Sequence, residues 1–246
     1  MNEALGPLAF GAAGWGDELA SGLLLTVELA LATLPLGLAI GLGVALLKDS
    51  PSRPARALGE AYTTVFRGLP ELLTIFLVYY GAPRVIGAAI AAVEGALGRG
   101  PAAENFEIGG FAAGVIALGL VFGAFSSEVL LGAFRGVPEG QREAAAALGL
   151  TRGAAFRLVV LPQVWRLALP GLTNTFLVML KDTSLVSVIA LADLMRQANV
   201  AALATKQPFL FYLIACLIYL ALSGLAAAGA RALEARASRG FATAGR

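Results

Sequence analysis

Charged and polar side chains interrupt the apolar segments of this 246-residue chain, and their spacing limits the chemistry that is open to it. Thr63, Arg67, Glu71 and Thr74 recur at intervals of four, four and three residues, which places them on one face of a helix. A charge at the centre of a bilayer costs about 2.5–3.5 kcal/mol, so this face must meet protein or water. Two alternatives stay open: Arg67 and Glu71 pair with each other and hold the bundle together, or they border a path for a polar solute.

Other polar residues in apolar segments raise the same question. Glu128 lies in a glycine-rich apolar run, with the same two alternatives. Pro170 is predicted to interrupt the following apolar segment, and interrupted helices often lie beside transport paths. Asn174 and Lys181 are therefore expected to serve such a path. Asp182 is expected to anchor its helix near the outer membrane interface.

The residues of several kinds of catalytic site are missing. The chain has no histidine and one cysteine, Cys216, so it offers no metal-ligand cluster, no internal disulfide and no histidine base. It contains no G-x-x-x-x-G-K-[ST] phosphate loop and no serine within G-x-S-x-G. We therefore expect a protein that is not an enzyme, holds no metal or cofactor, and does not hydrolyse ATP by itself.

Composition predicts the elements that carry these side chains. Hydrophobic residues make up 58% of the chain and charged residues 14%, against about 25% charged in soluble domains. With a mean hydropathy of +0.80, this predicts an all-α integral membrane protein, and the net charge of +2 argues against nucleic acid as a partner. Segments long enough to cross about 30 Å of hydrocarbon are predicted at 21–47, 57–81, 108–134, 164–189 and 208–230.

The distribution of lysine and arginine predicts the orientation. These residues gather at 48–56 and 135–161 and in the C-terminal tail, and cytoplasmic segments carry such an excess. The predicted organisation is a periplasmic tail at 1–20, a transmembrane domain at 21–230, outer amphipathic segments at 82–107 and 190–206, and a cytoplasmic basic tail at 231–246.

The segment Glu139–Gly149 is too short and too polar to cross a bilayer. Pro138 just before it suits a helix start, and Gly149 suits a C-terminal cap. Thr151 can cap a second helix, which runs to Pro162, where the proline is predicted to break or kink it. These short helices are expected on the cytoplasmic side of the bundle.

One hexapeptide occurs twice in the chain. Phe66–Glu71 and Phe134–Glu139 agree at five of six positions, but the residues around them differ. We interpret the match as chance in a chain rich in glycine, proline and arginine, and not as an internal repeat.

The cytoplasmic segment carries a resemblance to a known family. An ordered set of its residues resembles the EAA loop of ABC importer permeases: Glu143, Ala144, Ala145, Gly149, Leu161 and Pro162. Other stretches resemble the polar amino acid permeases, which include the histidine, arginine and octopine systems. These stretches are Phe66–Glu71, Tyr79–Gly81, Gln141, Leu161–Gln163, Pro170, Asn174 and Leu180–Leu185.

The resemblance implies the type I importer fold, with five transmembrane helices and a cytoplasmic coupling helix in the bacterial inner membrane. It implies that the EAA residues dock on an ATPase, with Glu143 paired to a basic or amide group and Gly149 sterically required. The implied partners are a cytoplasmic ABC ATPase dimer that binds ATP, a second permease (a copy or a relative), a periplasmic solute-binding protein and membrane lipid.

The resemblance also implies a solute class. Residues 66–81 most resemble the histidine/octopine branch, which takes cationic amino acids and opines. A path for cations should present carboxylates such as Glu71, Glu128 and Asp182. Arg67 or Lys181 is suited to the carboxylate of the solute. The alternative is a stand-alone secondary carrier or channel, but the chain shows no internal inverted repeat of the kind that such carriers use.

Overall fold

The computed structural model describes residues 6–11, 14–97, 107–189 and 191–239, which are helical or irregular, with no strand among them. The all-α prediction is confirmed. Parts of the predicted outer tail (1–5 and 12–13), of the outer segments (98–106 and 190) and of the basic tail (240–246) lie outside the described residues.

Five helices in that part of the chain are long and apolar enough to cross a membrane, and we call them the first to fifth spans. In chain order they are Gly16–Asp49, Glu71–Ala96, Gly110–Gly136, Arg152–Ile189 and Pro208–Ala237. Shorter helices between them are Arg53–Gly68, Glu139–Ala147 (the EAA helix) and Leu194–Thr205. The side of the bundle that carries the EAA helix is called the EAA side.

A helix break before the second span changes its predicted bounds. The helix Arg53–Gly68 ends before two extended residues, and a new helix begins at Glu71. Pro70 has no N–H to donate and forces the residue before it out of the helical region, so the first helix cannot continue. The prediction of one span over 57–81 is therefore wrong.

This break divides the polar stripe that the sequence predicted. Thr63 and Arg67 belong to Arg53–Gly68, whereas Glu71 and Thr74 begin the second span. The second span continues to Ala96 and so takes up much of the segment expected to lie outside the bundle. Side chains predicted to share one helix face instead come from two helices with different neighbours.

The repeated hexapeptide adopts the same local structure in both places. Leu69 and Pro70 have φ/ψ of −90/141° and −59/136°, and Val137 and Pro138 have −80/119° and −57/138°. In each copy a helix ends at the glycine and a new helix starts at the glutamate. The match is thus a local helix-breaking signal used twice.

The fourth span passes through both of its prolines. The hydroxyl of Thr151 accepts a backbone N–H at 3.4 Å and caps the start, as predicted. A π-helical turn at Phe156–Val160 precedes Pro162, and such turns accommodate local disturbance of the backbone hydrogen bonds. Pro170 lies inside the continuous helix Leu161–Asp182, so the predicted interruption at Pro170 is wrong. The helix is not broken at Pro162 either, and the kink predicted there as the alternative stays a prediction.

The first and third spans pack so closely that only small residues fit between them. A Cβ on Gly37 would overlap the Phe122 ring, and one on Gly41 would overlap Ser126 Oγ. Tyr62 Oη donates to the Leu120 carbonyl at 2.7 Å and ties Arg53–Gly68 to the third span. The third span is therefore the central element against which the others are placed.

Asp193 fixes the start of the helix Leu194–Thr205. Its side chain is fully buried and accepts the backbone N–H groups of Met195 and Arg196 at 3.2 and 3.1 Å. Burial raises the pKa of Asp193 from 3.8 to about 6, although these two hydrogen bonds partly offset the rise. The helix is thus capped by a carboxyl group that holds its proton more tightly than an aspartate in water does.

We expect Asp193→Asn to stabilise the protein more at pH 7 than at pH 5. The folded state holds the Asp193 proton more tightly than the unfolded chain, so the stability due to that proton is present below pH 4 and is lost as pH rises through about 6. Asparagine can keep one of the two cap hydrogen bonds, through its single carbonyl oxygen, without the charge. We define the difference as the unfolding free energy of Asp193→Asn minus that of wild type, measured by thermal unfolding in detergent. This difference should be about 1 kcal/mol larger at pH 7 than at pH 5.

Asp193→Ala is the matched control, because it removes the cap as well as the charge and should cost about 1 kcal/mol more than Asp193→Asn at both pH values. A stability difference between wild type and Asp193→Asn that is the same at pH 5 and pH 7 would contradict the raised pKa.

Candidate functional site

A cavity of about 220 Å³ lies between the second, third and fourth spans. Glu71, Asn174 and Asp182 supply polar groups to its wall, and Phe122 and Phe125 supply aromatic rings. Three of the residues predicted for a solute path therefore come together, although they belong to two different spans. The other lining residues are Leu118, Val121, Thr175, Val178 and Met179.

The cavity lies about midway along the third span. Leu118 and Phe122 follow the start of the third span at Gly110 by about 12 and 18 Å at 1.5 Å per residue, and that span is 27 residues long. Asp182 lines the same cavity, so its side chain faces the interior of the bundle beside Glu71. The expectation that Asp182 anchors its helix near the outer interface stays a prediction.

The charges on this cavity have one sign. Glu71 and Asp182 are carboxylates on its wall, and no lysine or arginine lines it among the described residues. Two acceptor-only groups beside aromatic faces favour a cationic ligand, because carboxylates and ring faces both attract positive charge. Asn174 adds an amide that can donate as well as accept.

Glu128 and Arg67 belong to a separate ion cluster on the EAA side of this cavity. Glu128 Oε1 forms an ion pair with Lys48 Nζ and lies 3.5 Å from Arg67 Nη1. Lys48 also donates to Thr63 Oγ1 at 3.2 Å, so the cluster joins the first span, the third span and Arg53–Gly68. Arg67 thus pairs with Glu128 and not with Glu71. Lys48, which the sequence placed in a loop, lies in the last turn of the first span.

One aromatic ring connects the ion cluster with the cavity. The guanidinium carbon of Arg67 lies 5.4 Å from the centroid of the Phe125 ring, a cation–π distance, and Phe125 lines the cavity. Phe122 and Phe125 precede Glu128 at intervals of three residues, and this helical spacing is the signal by which the sequence could have identified them.

Lys181 faces a different cavity from its neighbour Asp182. Successive residues of a helix point about 100° apart, and Lys181 lines a second cavity of about 680 Å³ beside the fifth span. The predicted path residues therefore fall into three groups. Glu71, Asn174 and Asp182 share the first cavity, Arg67 and Glu128 share the ion cluster, and Lys181 lies in the second cavity.

The EAA helix ends in a Schellman motif. The N–H of Leu150 donates to Ala145 O at 3.1 Å, and the N–H of Gly149 donates to Ala146 O at 2.9 Å. Gly149 has a φ of +77°, so the predicted glycine cap is confirmed. A Cβ on Gly149 would meet nothing within 4 Å, so within this chain the left-handed backbone selects glycine and space does not.

Most of the EAA helix presents its side chains to water. Ala145 is buried against the bundle, whereas Glu143 and Ala144 are exposed. Gln163 Nε2 donates to Gln141 Oε1 at 3.3 Å and ties the helix to the fourth span near the exposed pair Leu161-Pro162.

Leu148, just after the EAA helix, is a candidate docking residue that the sequence analysis missed. It is 81% exposed, and it follows a helix whose other exposed side chains are mostly polar or alanine. Its apolar character within a polar stretch was the available signal. The EAA helix and Leu148 together offer a partner a rigid surface with both polar and apolar groups.

Comparisons with known proteins place these features in context. Residues 33–239 match the family described as "Binding-protein-dependent transport system inner membrane component". The arginine ABC transporter permease protein ArtQ of Escherichia coli K12 is 41% identical over 226 residues, which are 90% of this chain and 95% of that protein. The nopaline transport system permease protein NocQ of Agrobacterium fabrum is 42% identical over 236 residues, which are 95% of this chain and 96% of that protein.

Solved structures give the same comparison in three dimensions. A chain from the crystal structure of an amino acid ABC transporter with histidines superposes with a TM-score of 0.73 at 33% identity, covering 90% of this chain and 95% of that one. A chain of the inward-facing MetNI methionine ABC transporter superposes with a TM-score of 0.68 at 17% identity, over 90% of this chain and 96% of that one. The second likeness concerns the fold alone.

Proposed function

Because the chain belongs to the inner-membrane components of binding-protein-dependent transport systems, we propose that its cavity at Glu71 and Asp182 conducts cationic amino acids or opines. The chain is a multi-pass permease subunit of an ABC importer and not an ATPase. ATPase and solute-binding subunits are its partners. The stand-alone carrier is not favoured, because relatives matching most of the chain are importer permeases.

The pair of carboxylates on the first cavity is the observation that carries the solute class. A guanidinium or ammonium group held there would make charge-assisted hydrogen bonds to Glu71 and Asp182 and lie beside the rings of Phe122 and Phe125. Asn174 would orient the bound group. The names of the relatives, which refer to arginine and nopaline transport, support the same class for this chain.

We expect Asp182→Asn and Glu71→Gln each to lower arginine uptake while sparing the neutral solute glutamine. Losing one charged hydrogen bond costs about 1.5–3 kcal/mol, which corresponds to roughly 10- to 100-fold in kcat/KM for the cation. The measurement is ATP-driven uptake of both amino acids in proteoliposomes that contain the permease, its ATPase and the binding protein.

Glu60→Gln is the matched control, because Glu60 is an exposed carboxylate on Arg53–Gly68 and does not line the cavity. Its uptake should equal that of wild type. Equal losses of arginine and glutamine uptake in the cavity variants, or no loss at all, would contradict a cation path through this cavity.

We further propose that the EAA side faces the cytoplasm and that the N-terminus is periplasmic. The exposed arginines Arg135, Arg142, Arg152 and Arg157 lie on the EAA side, which fits the usual excess of positive charge in cytoplasmic segments. In this orientation Glu143 and Leu148 point towards an ATPase dimer that binds the ATP.

The arrangement of permeases in the importer is also a proposal. The second and fifth spans leave most of their apolar surface uncovered within this chain, which leaves room for lipid and for a second permease. That second permease is either a copy of this chain or a relative, and the first cavity would be completed on the side where the two meet.

A further inference from the structure

Lys181 is a cation in the last turn of the helix Leu161–Asp182, within the fourth span, and it has no ion-pair partner among the described residues. It follows Met179 and precedes Asp182, both of which line the first cavity, so Lys181 lies level with that cavity. Its side chain is exposed in the second cavity, between the fourth span, the helix Leu194–Thr205 and the fifth span.

Lipid cannot be the medium around this amine. A lysine within a spanning segment costs up to about 2.5–3.5 kcal/mol against hydrocarbon, and no carboxylate lines the second cavity among the described residues. Intramembrane charges of this kind face water-filled cavities or bind ions and solutes. The amine therefore requires either water or an anionic group from outside the chain.

The fifth span supplies further polar groups on the same side. Tyr212, Cys216, Tyr219 and Ser223 follow one another at intervals of four, three and four residues, which is one face of a helix, and all four line the second cavity. Tyr212 Oη accepts a hydrogen bond from Asn199 Nδ2 at 2.9 Å, so its own O–H is left to donate.

These groups suit a carboxylate better than any other part of the transported molecule. An ionised carboxylate only accepts hydrogen bonds, and the ammonium of Lys181 and the hydroxyls of Ser184 and Ser223 can donate them. Arg67, the other cation considered for this role, already pairs with Glu128 and lies over Phe125. Lys181 is the cation that remains available.

We propose that the second cavity, which we call the Lys181 chamber, binds the carboxylate of the transported amino acid at a station distinct from the cavity of Glu71 and Asp182. This inference rests on the proposed import of amino acids. The two cavities would bind the two ends of the solute separately. The cationic side chain would bind at Glu71 and Asp182, and the carboxylate of the solute would bind at Lys181.

The chain carries its own reporter for this chamber. Cys216 is the only cysteine of the chain, is exposed, and lines the chamber together with Lys181. Methanethiosulfonate reagents transfer their thioalkyl group to a thiolate, forming a mixed disulfide and releasing methanesulfinate. An anionic sulfonatoethyl reagent and a cationic trimethylammonioethyl reagent therefore report both water access and the sign of the local charge.

In the assembled importer, we expect the anionic reagent to label Cys216 about tenfold faster than the cationic one, after normalisation to a free thiol, because the Lys181 field concentrates anions. Arginine should slow the labelling, whereas agmatine, its decarboxylated analogue, should not. Lys181→Gln should remove both the anion preference and the protection by arginine. The Cys216→Ser variant gives the background labelling by each reagent. The extent of labelling is measured as the increase in the mass of this chain.

Transport provides the second measurement. Lys181→Gln should lower the kcat/KM of arginine uptake about tenfold or more while changing competition by agmatine less than twofold. Lys206→Asn is the matched control, because Lys206 is an exposed cation with a φ of 59°, which asparagine tolerates.

Three outcomes would overturn the proposal. Failure of both charged reagents to reach Cys216 would mean that lipid or a second permease covers the chamber. If Lys181→Gln labels with the same charge preference as wild type, the lysine does not set the charge of the chamber. If Lys181→Gln weakens arginine uptake and agmatine competition equally, the role of the lysine is structural. Wild type that imports no cationic amino acid would instead refute the proposed solute, and the charge preference at Cys216 would still test the chamber.

Discussion

Gly149→Val should uncouple transport from ATP hydrolysis while leaving the spans folded. Gly149 has a φ of +77°, where a residue with a side chain costs about 1–2 kcal/mol and a β-branched residue more. Valine would pull the backbone out of this region and break the two hydrogen bonds that end the EAA helix. Since that helix is the proposed docking surface, we expect ATP-driven uptake to fall roughly tenfold or more.

The measurement pairs uptake with retention of the ATPase during purification. Gly149→Asn is the control, because asparagine visits the left-handed region and a Cβ at this position has open space within the chain. Asparagine should keep most of the uptake. Equal loss in both variants would mean that contact with the ATPase excludes any side chain, and normal coupled uptake by the valine variant would refute the docking role of the EAA helix.

Glu128→Gln should destabilise the bundle without changing which solute is preferred. The substitution leaves the ammonium of Lys48, whose side chain is only 11% exposed, and the guanidinium of Arg67 without their carboxylate. Breaking a buried pair costs about 3–5 kcal/mol, and the partial exposure of this cluster lowers our expectation to about 2 kcal/mol. Thermal unfolding in detergent should show this loss, while the ratio of arginine to glutamine uptake stays at the wild-type value.

A double-mutant cycle with Lys48→Met tests the cause of that loss. Methionine removes the buried ammonium at similar length, so the double variant should be more stable than Glu128→Gln alone by about 1 kcal/mol or more. A Glu128→Gln protein of normal stability with an altered solute preference would reverse our interpretation and return Glu128 to the solute path.

Residue type alone predicts the structure where a few adjacent residues determine the backbone conformation. The cap at Gly149 and the cap at Thr151 were predicted from residue type and are confirmed, because each depends on conformations that few side chains allow. Pro70 breaks its helix in the same way as Pro138, so the local sequence also specifies the start of the second span at Glu71.

Contacts between distant segments lay beyond such rules. Lys48 and Glu128 are 80 residues apart, and the helical spacing of Arg67 and Glu71 suggested a pair that the break between them prevents. Residues of two spans meet at the first cavity because both spans pack on the third, which no single helical pattern specifies.

The sequence by itself determined that this chain is a bundle of spanning helices with a capped polar helix at one side, since hydropathy, proline and glycine act through the chain's own backbone. Only the tertiary structure decided that Glu71 and Asp182 share a cavity, that Glu128 is bound by Lys48 and Arg67, and that Lys181 faces a different space from its neighbour. The physical reason is that a side chain's charge acts on whatever lies within a few ångströms of it, and helix packing determines which residues those are.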